Sequence, residues 1–222
     1  MPDPTDHPEP RLTRRKFAVL AAAFIAAFVV LTLLDRQITH ACFFPDTRDD
    51  WWRVAIKAVG DLRLWLVVGV LAFIIVRDWR WPAALVGAAA LAGGLAELGK
   101  LLFGRYRPSA NFELVNDGHY TFRPLFADFT ADFFSATNLG FPSSHAATAF
   151  GGATMLGILI HRKSPALVRV AFILAAACAA SRVFTGAHFA TDVLAGAFVG
   201  YLAAHTLALV SDTMSGPRPT TP

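Results

Sequence analysis

The stretch FAVLAAAFIAAFVVLTLL, residues 17–34, runs for 18 residues without a charge. A membrane-spanning helix needs about 20 apolar residues, so this stretch is long enough to cross a bilayer. Basic residues at 14–16 come directly before it, as expected of a cytoplasmic anchor. A cleaved signal peptide is the alternative, but Asp35 and Arg36 interrupt the approach to the poor lipoprotein-type site at 39–42. We expect an uncleaved span.

Five more apolar blocks follow the first, at 62–76, 82–103, 144–160, 166–183 and 189–210. The chain is 55% hydrophobic and 16% charged, whereas a soluble domain carries about a quarter charged residues. The pattern predicts an all-α integral membrane bundle of six transmembrane helices. We expect one membrane domain over 17–210, a disordered cytoplasmic tail at 1–16 and a flexible tail at 211–222.

Charge and cysteine usage exclude some classes of function. The net charge of +4 is modest, and most cations lie beside apolar blocks rather than on one basic face. A nucleic-acid partner is therefore not expected. Cys178 lies in an apolar block and Cys42 in a predicted loop. The pair fits no metal-ligand pattern, and we do not expect a disulfide between them.

The first cluster of polar residues combines Lys100 with Arg107, seven positions later, and Pro108. Seven positions are two helical turns, so both cations share a face if the helix persists, and Pro108 predicts that it ends near Arg107. Lys offers a point charge and Arg a planar fork, which together suit a phosphate. Two cations that snorkel from the end of a span are the alternative. Glu97 is placed to pair with a neighbouring cation.

The second cluster is Pro142, Ser143, Ser144 and His145, directly before an apolar block. Either serine is a good N-cap, and a helix start presents free amides and the positive end of a dipole to an anion. His145 is then predicted in the first turn, beside that anion. A plain capped helix with a histidine at the membrane interface is the alternative.

The third cluster holds Arg182, His188 and Asp192. On a helix, His188 and Asp192 stack on one face, and an aspartate that accepts from one ring nitrogen leaves the other nitrogen free to attack. A buried pair used for packing is the alternative, although a carboxylate near the start of a membrane helix is costly.

Counting spans predicts that the three clusters meet at one membrane face. Lys100 ends the third span, Ser143 opens the fourth, Arg182 closes the fifth and Asp192 opens the sixth. The densest basic clusters flank the opposite face, which places that face in the cytoplasm. We therefore expect a bacterial inner-membrane protein whose site faces the periplasm.

The three clusters, KLLFGRYRP, PSSH and SRVFTGAHFATD, resemble the three-part signature of the type 2 phosphatidic acid phosphatase (PAP2) superfamily. The resemblance covers residues 100–192 and keeps the order and spacing of the family pattern. One position departs from it, because Ser144 stands where the family usually has glycine. We expect the phosphate pocket to survive this change, with an added hydroxyl donor.

The resemblance implies a membrane lipid phosphatase that needs no metal or other cofactor. His188 would attack phosphorus and form a phosphohistidine, Asp192 would orient it, and His145 would act as general acid and base. The side chains that would bind the substrate phosphate are Lys100, Arg107, Arg182, Ser143 and Ser144. The implied partners are a lipid phosphate in the bilayer and the surrounding membrane lipids.

Other functions stay open at this point. A lipid phosphotransferase would use the same intermediate with a sugar or lipid acceptor, and an anion transporter would line a pore with the same cations. The candidate substrates are phosphatidic acid, phosphatidylglycerol phosphate, undecaprenyl pyrophosphate and lipid A.

Two connections between the apolar blocks carry further expectations. Trp51 and Trp52 in the connection 35–61 are typical of an element at the membrane interface, with two buried aromatic side chains as the alternative. The long outer connection 104–143, between the third and fourth helices, is rich in aromatic residues. We expect it to form a cap or a lipid-facing helix beside the site.

Overall fold

The computed structural model describes residues 14–43, 50–110, 121–122, 125 and 138–214. Seven α-helices lie within these ranges: α1 Arg14–Cys42, α2 Trp51–Lys57, α3 Leu62–Val76, α4 Arg80–Phe103, α5 Ser144–Ile160, α6 Pro165–Phe184 and α7 Ala190–Met214. Short 3₁₀ turns occur at Ala58–Gly60 and Pro108–Ala110. In this described part of the chain, β-structure is limited to two isolated bridges, so the all-α prediction is confirmed there.

Each of the six predicted apolar blocks lies in a helix of the structure. Four helices, α1, α4, α6 and α7, are long and apolar enough to cross a membrane. The segment Trp51–Gly60, which contains α2, forms an angle of 68° with α3. These two segments together would make a fifth span. Helix α5 is apolar but shorter, with 17 residues. Four or five spans are therefore supported, and the sixth stays a prediction.

Helix α1 is longer than predicted at both ends. It begins at Arg14, inside the predicted tail, and continues past Asp35 to Cys42. The continuation is possible because Asp35, which is 4% exposed, is buried against polar partners instead of lipid. Cys42 thus ends a helix rather than lying in a loop, and it and the buried Cys178 are both free thiols. At the other end of the chain, α7 extends to Met214, beyond the predicted boundary at residue 210.

The tryptophan pair opens the short helix α2. Trp51 is 82% exposed and Trp52 is 38% exposed, so they are not the buried loop aromatics of the alternative interpretation. Large exposed apolar rings suit a membrane interface, and that location stays a prediction. The cap predicted for the outer connection falls mostly on residues 111–120, 123–124 and 126–137, which lie outside the described residues.

Helix α5 is the centre of the bundle and packs against α4, α6 and α7. Its buried face consists mostly of Ala, Gly and Thr, which lets neighbouring backbones approach closely. Gly196 and Gly200 of α7 lie directly against the carbonyl oxygens of Ser143 and Ala147. A side chain at either glycine would collide with that backbone. This contact fixes the start of α5 beside the start of α7.

Candidate active site

Lys100 lies in the last turn of α4 and is 3% exposed. Its ammonium donates to Glu97 Oε1 at 2.6 Å and to Ser144 Oγ at 3.1 Å. The pairing expected for Glu97 is therefore confirmed, and Lys100 is the partner. Ser144, the residue that departs from the family pattern, directly contacts one of the predicted phosphate-binding cations.

Helix α4 ends earlier than predicted. It stops at Phe103 because Gly104 adopts a left-handed conformation with φ of 52°. Arg107 therefore lies in an extended segment and does not share a helical face with Lys100. Its backbone donates to Asn138 O at 3.1 Å and its Nε to Leu139 O at 3.1 Å, which ties this segment to the residues before α5.

Ser143 is the N-cap of α5, as one of the two serines was predicted to be. Its Oγ accepts from the amide of Ala146 at 3.5 Å, and its own amide donates to the carbonyl of Asp192 at 2.9 Å. His145 lies in the first turn of α5, where the charge of Arg182 acts on it. Gly60 packs so closely against the His145 backbone that a Cβ there would lie 2.7 Å from His145 Cβ.

Of the predicted site residues, Arg107 and Arg182 line a cavity of about 300 Å³, whereas Lys100, His145 and His188 do not. Four cationic side chains contribute to its wall, namely Arg107, Arg182, Arg53 and Lys57. The two from α2 were not predicted. The cations of the connection 35–61 were a signal, but only tertiary packing of α2 against α6 carries them to this cavity.

His188 lies in the turn between α6 and α7 and is 1% exposed. Its Nδ1 lies 2.7 Å from the carbonyl oxygen of Gly140 and 3.7 Å from Asp192 Oδ2. Because a carbonyl only accepts hydrogen bonds, Nδ1 carries the proton, and a neutral ring then has an unprotonated Nε2. Burial lowers the pKa of His188 to about 4, against the opposing effect of Asp192, so the ring is neutral at pH 7.

The predicted hydrogen bond from His188 to Asp192 was wrong, because Gly140 supplies the acceptor. The helical spacing argument fails here since α7 begins at Ala190, after His188. Asp192 is fully buried, and its Oδ2 accepts from the Phe189 amide at 2.9 Å. The carboxylate therefore lies beside the imidazole at ion-pair distance.

Arg105 is a buried residue of the site that the sequence analysis missed. Its Nη1 donates to Asp192 Oδ1 at 2.6 Å and to Thr191 Oγ1 at 2.6 Å, while Nη2 donates to Asp35 Oδ2 at 2.8 Å. Its guanidinium carbon also lies 3.8 Å from the centre of the Phe189 ring. Two sequence features could have indicated this buried ion pair: the additional arginine, Arg105, within KLLFGRYRP, and Asp35, which follows directly after an apolar stretch.

A model of the PAP2 superfamily matches residues 81–215. The chain belongs to the PAP2 superfamily. This confirms the resemblance. The match begins in α4, so α1, α2 and α3 lie outside it.

Two relatives of this PAP2 superfamily member are bacterial phosphatases. The lipid A 1-phosphatase of Porphyromonas gingivalis is 33% identical over 139 residues, which are 61% of this chain and 26% of that protein. The lipid A 4'-phosphatase of Bacteroides thetaiotaomicron is 26% identical over 200 residues, 82% of this chain and 83% of that protein. This chain therefore spans about a quarter of the first relative's length.

The fold also matches a solved PAP2 structure. It is a transmembrane PAP2 type phosphatidylglycerolphosphate phosphatase from Bacillus subtilis, with a TM-score of 0.58 and 19% sequence identity. The match covers 89% of this chain and 98% of that one. This likeness shows that the protein shares the fold of that structure.

Proposed function

We propose that this PAP2 protein is a membrane lipid phosphatase that works through a phosphohistidine on His188 and needs no metal. The observation that carries the proposal is the state of His188. Its Nδ1 is held by Gly140 at 2.7 Å, which leaves Nε2 as a neutral nucleophile beside cationic side chains.

The reaction has two steps. The lone pair of His188 Nε2 attacks phosphorus, an N–P bond forms, and the bond from phosphorus to the leaving oxygen breaks. His145 gives that oxygen a proton, so that it leaves as a hydroxyl group. In the second step His145 takes a proton from water, the resulting hydroxide attacks phosphorus, the N–P bond breaks and phosphate leaves. Asp192, 3.7 Å from Nδ1, stabilises the positive charge on the phosphorylated ring.

Fixed cations take the part that a metal plays in other phosphoryl-transfer enzymes. Lys100, Arg107 and Arg182 are proposed to hold the phosphate oxygens, with Ser143, Ser144 and the amides at the start of α5 assisting. Within the described ranges, no three His, Cys, Asp or Glu side chains are grouped so as to hold a metal ion. Positioning and electrostatics supply most of the barrier reduction in phosphoryl transfer.

The relatives suggest the substrate class. Both curated relatives are named for lipid A, so a phosphorylated glycolipid of that type is the first candidate. The site residues themselves recognise a phosphate and not a lipid tail. Phosphatidic acid, phosphatidylglycerol phosphate and undecaprenyl pyrophosphate therefore belong in the same test.

We place the protein in a bacterial inner membrane with the site facing the periplasm. The proposed site lies at the ends of α4 and α6 and the starts of α5 and α7. The opposite helix ends carry the basic residues Arg14, Arg15, Lys16, Arg77, Arg80, Arg162 and Lys163. Basic residues at span ends favour the cytoplasm, which supports this orientation.

The test is release of free phosphate by purified protein in detergent, from each of the four lipids and with no added acceptor. We expect release from lipid A, and loss of at least about 10³-fold in kcat for His188→Ala, because no nucleophile replaces the imidazole. His161→Ala, which changes a histidine at the opposite end of α5, is the matched control.

Two outcomes would contradict the proposal. Turnover that survives His188→Ala would exclude this residue as nucleophile. Release of phosphate only after an alcohol or lipid acceptor is added would indicate a phosphotransferase instead.

A further inference from the structure

A buried chain of charges joins the first helix to the proposed nucleophile. Asp35 of α1 and Asp192 of α7 both accept from Arg105, at 2.8 and 2.6 Å, and all three side chains are at most 6% exposed. Thr191 closes the chain, because its amide donates to Asp35 Oδ1 at 3.1 Å and its hydroxyl contacts both Asp35 and Arg105. Asp35 and α1 lie outside the segment that matches the PAP2 family model.

The position of Asp192 beside His188 depends on these buried contacts with Arg105 and Asp35. Its carboxylate makes no hydrogen bond to the imidazole, which lies 3.7 Å away and donates to Gly140 instead. The contacts that hold the carboxylate are the Arg105 guanidinium and the Phe189 amide. An arginine fork can hold two carboxylates in fixed directions, whereas a lysine point charge cannot.

The balance of charge in this chain also suits the reaction. With both carboxylates ionised, Asp35, Asp192 and Arg105 together carry one negative charge beside a neutral imidazole. When Nε2 takes the phosphoryl group, the ring becomes positive and the buried group as a whole becomes neutral. In a low-dielectric site such a match stabilises the charge that develops on the ring.

We propose that Arg105, held in place by Asp35, is a positioning residue that fixes Asp192 beside His188 and makes the docking of α1 a condition for turnover. The proposal rests on the proposed function of His188. Loss of phosphate release in His188→Ala tests that function separately, and the variants below are compared with the wild type on the same lipid.

The test measures kcat, KM and the pH at which kcat/KM falls on the acid side, for Arg105→Gln, Arg105→Lys and Asp35→Asn. Among the residues that the structure describes, the charged and titratable groups that act on His188 include Asp192, Arg182, Arg107 and His145. The variants leave them in place, and ionisation of the substrate is the same for every protein. Arg169→Gln, an exposed arginine of α6, is the matched control.

We expect Arg105→Gln to lower kcat about 100-fold with KM within about threefold, because it disturbs placement more than phosphate binding. The pH at which kcat/KM falls on the acid side, here called the acid limb, should rise by about one unit in this variant. Without the Arg105 charge, the two carboxylates favour the protonated form of His188. Asp35→Asn should lower kcat about tenfold and move the limb in the opposite direction. Arg105→Lys should keep the wild-type limb, because the charge remains, with kcat about tenfold lower.

Opposite shifts in Arg105→Gln and Asp35→Asn are the signature that general loss of structure does not produce. The proposal is overturned if Arg105→Gln keeps kcat within twofold, or if both variants lower kcat without moving the limb. If Arg105→Gln fails to fold, the kcat values and acid limbs of Arg105→Lys and Asp35→Asn test the proposal instead. The proposal would also be overturned if both of these variants had the kcat of the wild type, or if their acid limbs moved in the same direction.

Discussion

Gly140→Ala is the smallest change that tests the geometry around His188. A Cβ at position 140 would lie 2.9 Å from Asp192 Oδ2, and 3.6 Å from both the Arg105 carbonyl oxygen and Arg107 Cγ. An ordinary carbon–oxygen contact needs roughly 0.5 Å more than that 2.9 Å. Neither partner can yield easily. The carboxylate is held by Arg105, and the backbone of Gly140 donates to the Arg105 carbonyl at 2.7 Å.

The required shift falls on the hydrogen bond that orients the nucleophile. Moving the Gly140 carbonyl by about 0.5 Å would stretch its 2.7 Å bond from His188 to the long end of the normal range. Overpacking of this kind costs about 1–3 kcal/mol in stability. Because a misplacement of about 1 Å can cost 100-fold in rate, we expect kcat to fall about 10- to 100-fold.

The assay is phosphate release together with thermal unfolding in the same detergent. Gly94→Ala is the matched control, because a Cβ at that position of α4 meets nothing within 4 Å. It should leave kcat unchanged and stabilise the helix by about 0.5–1 kcal/mol. If Gly140→Ala has the kcat and melting temperature of the wild type, the account of how His188 is held is wrong.

Three further predictions concern the phosphate pocket, pH and metal. Ser144→Ala should raise KM about fivefold with kcat within about twofold, because Lys100 loses one acceptor and keeps Glu97; a lower KM would show that Ser144 hinders binding. Burial lowers the pKa of His188 to about 4, so the ring stays an unprotonated nucleophile through neutral pH. After correction for ionisation of the substrate, the acid-side fall of kcat/KM should therefore begin only as pH drops towards 4, and an acid-side fall centred on the ordinary histidine value would contradict this. Activity should be unchanged after dialysis against EDTA, and a loss that added divalent metal restores would exclude the metal-free mechanism.

Much of the fold and part of the site could be predicted because they depend on local patterns. Apolar blocks predicted the positions of six helices, since burial of apolar surface depends on composition over a window of residues. Counting the spans predicted that Lys100, Ser143 and Asp192 lie at the same face of the helix bundle, because each successive helix reverses the direction of the chain. The N-cap at Ser143 followed from a serine placed before an apolar run.

The remaining contacts depend on tertiary packing that local patterns do not encode. Asp35 and Arg105 are 70 positions apart, and α1 must dock on α7 before they meet. The Gly140 carbonyl is a backbone group, so no side-chain pattern marks it as the partner of His188. Helical spacing gave the wrong prediction at Arg107 and His188, because Gly104 ends α4 early and α7 starts late at Ala190.

The central claim is that His188 carries the phosphoryl group during turnover. The direct measurement is rapid acid-free quenching of the enzyme with a lipid substrate labelled at phosphorus, followed by mapping of the labelled peptide. We expect label on His188 that is stable in base and lost in acid, as a phosphoramidate should be, and none in His188→Ala. Label on another residue would contradict the account. So would steady phosphate release without labelled enzyme in an Asp192→Asn or His145→Ala variant that slows the second step.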